Sequence, residues 1–240
     1  MSQIPARLCA KGDDCAILFA RTPAPGRVKS RLWSHLTQDE ACHLHCASAN
    51  DTLALLGRAL PGASKWLFLS EEPEATDASE AKPLGFDVPA GFQFAVQEGN
   101  GLGERMGAAF QRAFESGAGR VVIFGSDSPT LPASVVQQAF ERLADANDLV
   151  LGPTEDGGYY LIGYRRFERG LFQGVEWSTP RVFAQTCANA ERLGYRIAQL
   201  QKWFDLDEWK DVERVMEDAR RGATLPEHLA ALLQDFNRNR

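Results

Sequence analysis

The stretch AILFARTPAPGRVKSRL, residues 16–32, decides the fold. Its first five residues, Ala16 to Ala20, are apolar at every position. A strand with one wet face alternates; a strand apolar throughout is covered on both faces, as in parallel sheets sandwiched between helices. The chemistry changes abruptly after Ala20. Arg21, Arg27, Lys29 and Arg31 place four cations within eleven residues, and Pro23, Pro25 and Gly26 shape the backbone between them. In open α/β sheets, ligands lie beyond the carboxyl ends of the strands. The loop therefore stands where fixed cations and backbone N–H groups would meet a phosphate chain. It contains neither the G-x-x-x-x-G-K-[ST] loop nor the G-x-G-x-x-G fingerprint. The plain alternative is a solvated basic turn.

The same rhythm continues along the chain. Short apolar runs at 66–69, 92–96, 121–124, 149–151, 159–164 and 195–200 read as strands. Helical patterns fall between them, over 37–58, 103–116, 132–143 and 178–193, and two more close the chain at 207–220 and 226–236. Thr37 with Glu40 forms a capping-box pattern, and Ser178-Thr179-Pro180 reads as a helix start. The run 121–124 is apolar on both faces and is expected to be central. Residues 71–90 are acidic, contain Pro73, Pro83 and Pro89, and read as an irregular insertion. Strands alternating with helices predict an α/β fold, a three-layer α/β/α sandwich with a mostly parallel sheet. One domain over 1–240 is expected, since about 250 residues is where a single core stops growing.

Composition excludes several classes. The chain has 240 residues, with 26 Lys and Arg against 32 Asp and Glu, for a net charge of −6. The apolar content of 44% argues against disorder. No apolar run approaches the roughly 18 residues of a membrane span. An acidic chain without a long basic stripe is not expected to bind nucleic acid. The first residues lack the apolar core of a secretory signal, and five cysteines without a C-x-x-C do not suggest a disulfide framework, so a cytoplasmic protein is expected. Cys42, His45 and Cys46 share a helix face by spacing, which reads best as a half-buried helix surface.

Three further loops carry chemistry. Gly125-Ser126-Asp127-Ser128-Pro129 follows the run expected to be central, and a carboxylate there can hold a divalent cation together with phosphate oxygens; a turn or helix cap is the competing role. Gly152-Pro153-Thr154-Glu155-Asp156-Gly157-Gly158-Tyr159 combines glycines that allow close approach of a ligand with Asp156, a candidate base or hydroxyl ligand, although Asp-Gly is also a turn signal. In Trp203-Phe204-Asp205-Leu206-Asp207, Asp207 reads as a helix N-cap, leaving Asp205 as a second metal carboxylate opposite Asp127. Trp177, Ser178 and Thr179 precede a helix whose N-terminus could receive a phosphate.

Together these blocks resemble a GT-A-like glycosyltransferase family of the radical-SAM or selenodomain-associated type. The resemblance rests on ILFARTPAPGRVKSRL, GLGERM, VVIFGSDSPTLP, LVLGPTEDGGYYLIG, VEWST and WFDLDEWKDV, in that order, from about residue 15 to 215. More distantly the chain is similar to 2-phospho-L-lactate guanylyltransferases, which share the nucleotide-diphospho-sugar transferase fold. The resemblance implies a Rossmann-like sheet binding a nucleotide or nucleotide sugar, with Mg²⁺ or Mn²⁺ at Asp127. It implies phosphate contacts from Arg21, Pro23, Gly26, Lys29 and Arg31. Asp127 and Asp156 become the catalytic candidates. Asp156, Gly157, Gly158, Tyr159, Trp177, Ser178 and Thr179 become the candidates for holding a small-molecule acceptor. The family's usual loop Lys is Arg21 here, and residues 126–128 read Ser-Asp-Ser in place of a D-x-D pair. Asp205 or Asp156 is left to supply the second carboxylate. Glycosyl transfer is the leading reading. Nucleotidyl transfer from an NTP, and a nucleotide-binding regulator without catalysis, are the alternatives.

Overall fold

Along Asp14–Ala20 (β1) the side chains divide evenly between two apolar clusters. Ala16, Leu18 and Ala20 join one; Cys15, Ile17 and Phe19 join the other. A strand buried on both faces demands helices above and below it, and the chain supplies them. The computed structural model describes residues 9, 11–72, 76–77, 82–83 and 85–238. In chain order the elements are α1 (Gln38–Ala59), β2 (Ser64–Leu69), the short β3 (Thr76–Asp77) and β4 (Lys82–Pro83), β5 (Phe92–Val96), α2 (Leu102–Glu115), β6 (Arg120–Gly125), α3 (Ala133–Ala144), β7 (Leu149–Pro153), β8 (Tyr159–Tyr164), α4 (Val182–Arg192), β9 (Ile197–Gln199), α5 (Trp209–Arg220) and α6 (Glu227–Arg238).

Seven strands form one sheet in the order β5-β2-β1-β6-β8-β7-β9. Its pairs are parallel except those made by β8, which runs against both β6 and β7. The mostly parallel sandwich expected from the sequence is therefore present, with one reversed strand. That reversal keeps the 154–158 turn at the carboxyl edge, beside the ends of β1 and β6. Helices α1 and α3 cover one face, α2 and α4 the other.

A third apolar cluster lies outside the sandwich. Leu32, Leu36, Ala41 and Leu44 pack against Phe204, Leu206 and the inward faces of α5 and α6. It seats the end of the first loop and the segment after β9 side by side.

Helix α1 is held at three points. Thr37 and Glu40 form the expected capping box, with Thr37 Oγ1 accepting from Glu40 N at 3.2 Å and Glu40 Oε2 accepting from Thr37 N at 2.7 Å. At its C-terminal end, the buried Lys65 ammonium donates to the Leu60 and Ala63 carbonyls. Between them, buried Asp51 accepts from His228 N at 3.0 Å and Leu229 N at 2.8 Å, capping α6 from outside.

Some expectations shift. Helix α4 starts at Val182 instead of Ser178, because Ser178 has φ 61° and the Thr179 hydroxyl donates to the Glu176 carbonyl. The last strand is confined to 197–199. Within 71–90, the short strands β3 and β4 pair antiparallel and Phe86 is buried; positions 73–75, 78–81 and 84 lie outside the described residues.

Asp51→Ala leaves two α6 N–H donors unmet and is expected to cost about 1–3 kcal/mol of stability in urea unfolding. Asp51→Asn should recover part of that loss; equal midpoints for Asp51→Ala and wild type would show that the cap contributes nothing.

Candidate active site

The carboxyl ends of β1, β2, β5 and β6 open into a cleft of about 730 Å³. Ala20 and Arg21 line it beyond β1, Ser70 and Glu71 beyond β2, Gln97 beyond β5, and Ser126 and Asp127 beyond β6. The first loop enters it through a turn over 24–27, closed by Arg27 N donating to Ala24 O at 3.0 Å. Pro25 and Gly26 (φ 76°) occupy its central positions, and proline followed by a residue with positive φ is the type II pattern. A Cβ on Gly26 would lie 2.8 Å from Gln38 Oε1. The loop ends at Lys29, a left-handed residue (φ 50°, ψ 41°) that turns the chain into a 3-10 turn over Ser30–Leu32. Such a conformation costs a non-glycine residue about 1 kcal/mol or more.

Lys29, expected at the phosphates, is placed differently. Its side chain is 3% exposed. The ammonium lies 2.5 Å from Asp127 Oδ1 and 2.9 Å from Asp207 Oδ1, and donates to the Leu206 carbonyl at 2.8 Å. Desolvation alone would lower its pKa; the two carboxylates outweigh that and raise it. Burial likewise pushes the Asp127 carboxyl up, but Lys29, His45 and Arg21 hold it below its ordinary value. Asp127 and Asp207 thus stand on either side of one ammonium, with side chains 41% and 38% exposed, and both line the cleft.

Asp205 is elsewhere. It accepts from the Ser128 hydroxyl at 2.5 Å, and burial, reinforced by the Asp127 charge, pushes its pKa up to about 7. Asp207, expected to be a cap, therefore lines the cleft, whereas Asp205, expected to be the second metal carboxylate, is turned onto Ser128. Asp207 does not cap α5; Glu208 does, in a capping box with Asp211. The backbone explains both placements. Leu206 N donates to the Asp127 carbonyl at 2.7 Å and Trp203 N to Pro153 O at 3.0 Å, so the segment crosses the sheet edge with Leu206 buried and Asp207 toward Lys29.

The remaining candidates divide. Arg21 and Arg31 line the cleft, Arg31 lying 3.8 Å from Glu208. Pro23 sits near the backbone of Gly85. Asp156 Oδ1 accepts from Thr154 Oγ1 at 2.5 Å and Gly158 N at 3.0 Å, which closes its own turn. A Cβ on Gly157 (φ 91°) would meet the Pro180 carbonyl, so that turn is clamped to the lead-in of α4. Tyr159 and Trp177 pack against the core, Trp177 over Gly103, and Thr179 closes a local turn. Of these acceptor candidates, Ser178 reaches the cleft.

Several lining residues carry no motif of their own. His45 on α1 is buried and pairs Nε2 with the Arg21 carbonyl at 2.9 Å, fixing the loop's first turn; burial lowers its pKa. Arg27 makes a two-pronged pair with Glu71, at 3.0 and 3.2 Å. Asn100 and Arg105 line the cleft from the start of α2, where Arg105 Nε holds the Gly99 carbonyl.

The donor set suits a divalent cation. Mg²⁺ typically takes one or two carboxylates and fills its shell with water and substrate phosphate. Asp127 and Asp207 offer such a pair at a partly exposed cleft wall. Among the described residues no three His, Cys, Asp or Glu side chains converge.

Comparison with known proteins agrees with this fold. A family model described as "Uncharacterized protein conserved in bacteria (DUF2064)" matches residues 55–179. A crystal structure from Desulfovibrio desulfuricans G20, described as a "putative nucleotide-diphospho-sugar transferase", is 33% identical. It aligns over 94% of this chain and 96% of its own, with a TM-score of 0.83. At the level of fold alone, a cytidylyltransferase from Leptospira borgpetersenii is 10% identical over 95% of each chain, with a TM-score of 0.52. A manganese complex of Rv0371c from Mycobacterium tuberculosis is 17% identical, over 87% of this chain and all of its own (100%), with a TM-score of 0.50. A search of curated proteins gave no match.

Asp205 sets a pH dependence. Its folded pKa of about 7 exceeds its ordinary value of 3.8, so the folded state holds a proton that the unfolded state releases. The associated stability is complete below pH 4 and is lost as pH rises through 7, by up to about 4 kcal/mol. Asp205→Asn keeps the Ser128 hydrogen bond without the charge. The unfolding free energy of wild type should fall relative to that of Asp205→Asn between pH 4 and 8; parallel slopes for the two proteins would refute the assignment.

Proposed function

Since the chain belongs to the bacterial DUF2064 family and to the nucleotide-diphospho-sugar transferase fold group, we propose that it is a metal-dependent transferase using a nucleotide-activated donor. The donor we favour is a nucleotide sugar. The observation that carries this reading is the meeting, at one sheet edge, of a cationic loop and a carboxylate pair. Arg21, Arg27 and Arg31 line the same cleft as Asp127 and Asp207, which is the division of labour a phosphate chain and its counter-cation require.

In this reading the nucleotide lies across the ends of β5, β2, β1 and β6. Arg21 and Arg31 bind its phosphates, while Asp127 and Asp207 hold Mg²⁺ or Mn²⁺. When bound, that cation supplies Lewis-acid neutralisation of the departing phosphate. The manganese complex among the fold relatives supports the choice of metal. His45 keeps Arg21 in place through its carbonyl, and Lys29 pairs with both carboxylates. The acceptor, a small molecule, enters beside Ser178, with the Asp156-Gly157-Gly158 turn forming the outer rim. No helix among the described residues is long and apolar enough to cross a membrane. Five free cysteines suit a reducing cytoplasm.

Nucleotidyl transfer is the second reading. Residues 126–128 lack a D-x-D pair, and one fold relative is a cytidylyltransferase. The two reactions leave different products. Incubation with nucleotide sugars and with NTPs, each with Mg²⁺ or Mn²⁺, separates them by release of nucleoside diphosphate or of pyrophosphate. Asp127→Ala and Asp207→Ala should each lower turnover about 100-fold or more, and Asp205→Asn far less. Binding without either product would leave a non-catalytic nucleotide-binding protein; absence of any nucleotide binding would remove the transferase reading altogether.

A further inference from the structure

We propose that Lys29 is a built-in counter-ion that couples the divalent cation to the nucleotide, so that the cleft admits the two together and turns the cation away when it comes alone. The inference rests on the transferase reading above and concerns how that site loads.

An ammonium has three protons to donate, and Lys29 has spent all three, on Asp127 Oδ1, Asp207 Oδ1 and the Leu206 carbonyl. Its side chain is almost wholly enclosed, and its backbone is fixed by the left-handed turn and by Leu32 N donating to its carbonyl at 3.0 Å. Swinging out to meet a phosphate would strip both carboxylates of their partner and leave Leu206 O unmet. The ammonium is therefore a fixed part of the wall, not a ligand-seeking group.

Its consequence is electrostatic. Two carboxylates offer two negative charges, and Lys29 cancels one of them and occupies one oxygen of each. Asp205, the third carboxyl nearby, is turned onto Ser128. A divalent cation arriving alone meets a single net charge, two available carboxylate oxygens and a positive neighbour a few ångströms away. Affinity of such cations follows ligand charge and ligand number, and both are deficient. A nucleotide diphosphate supplies what is missing, namely additional negative charge and phosphate oxygens, while Arg21 and Arg31 balance its remainder. Linkage makes the effect reciprocal, so the cation must tighten the nucleotide by the same factor that the nucleotide tightens the cation.

The test uses Mn²⁺, followed by the electron paramagnetic resonance of its free ion, and UDP and GDP, followed by calorimetry, on the full chain. Wild type is expected to bind Mn²⁺ alone only in the millimolar range, and to bind one of the nucleotides at least about tenfold more tightly with Mn²⁺ than without it. Lys29→Met removes the charge at similar size. It should bind Mn²⁺ alone about tenfold or more tighter than wild type, since two close carboxylates then lack a counter-ion, and the cation's effect on nucleotide affinity should shrink. Wild-type Mn²⁺ binding that is equally tight with and without nucleotide overturns the inference while leaving the transferase reading intact, and it does so whether or not Lys29→Met folds. No binding of either nucleotide under any condition overturns both.

Discussion

The ammonium of Lys29, held between Asp127 and Asp207, is the constraint on which the rest of the cleft depends. It joins three parts of the chain that are far apart in sequence: the first loop, the end of the central strand β6, and the segment after β9. A buried cation with two carboxylates tolerates little displacement, because losing either acid leaves an enclosed ammonium with a proton unmet, and losing the cation leaves two close acids without a counter-ion. The strained backbone at Lys29 and the turn at Pro25-Gly26 are the local consequences of that demand.

The elements that satisfy it are mostly apolar. The cluster of Leu32, Leu36 and Leu44 with Phe204, Leu206 and the α5–α6 pair fixes the two chain segments against each other. Leu206 N on the Asp127 carbonyl then sets their register. The last two helices, which the sheet does not need, therefore give the site its second cleft carboxylate. Net charge follows the same division. The −6 of the whole chain is spread over its surface, whereas the cleft gathers arginines around one compact acid pair.

The sheet was legible because its evidence is local. Buried strands are runs of apolar residues, and runs at 66–69, 92–96 and 121–124 fall within β2, β5 and β6. Direction is written in the turns, and the Asp156-Gly157 turn signal is the local mark that β8 runs back along β7. Contacts between distant segments are not local, which explains Asp205 and Asp207. Both are acids just before a helix, and capping preference favours the second as the cap. The outcome was decided by Ser128, 77 positions away, and by a helix that takes Glu208 as its cap instead. His45 was hidden for a related reason. Within α1 it looks like part of a half-buried face beside two cysteines, and its role comes from the Arg21 carbonyl that the loop brings to it.

Helix α1 has one further consequence. Its 22 residues span about 33 Å at 1.5 Å per residue, and its polar contacts are distributed along that length: His45 at the cleft, Asp51 at the start of α6, and Lys65 on the carbonyls of Leu60 and Ala63 just past its end. It behaves as a rigid beam with fittings at intervals. A tilt that relieved one fitting would load the others, so the mouth of the cleft and the C-terminal helix pair cannot relax independently. The chain has in effect one mechanical member shared by the Arg21 wall of the cleft and the scaffold that presents the second acid.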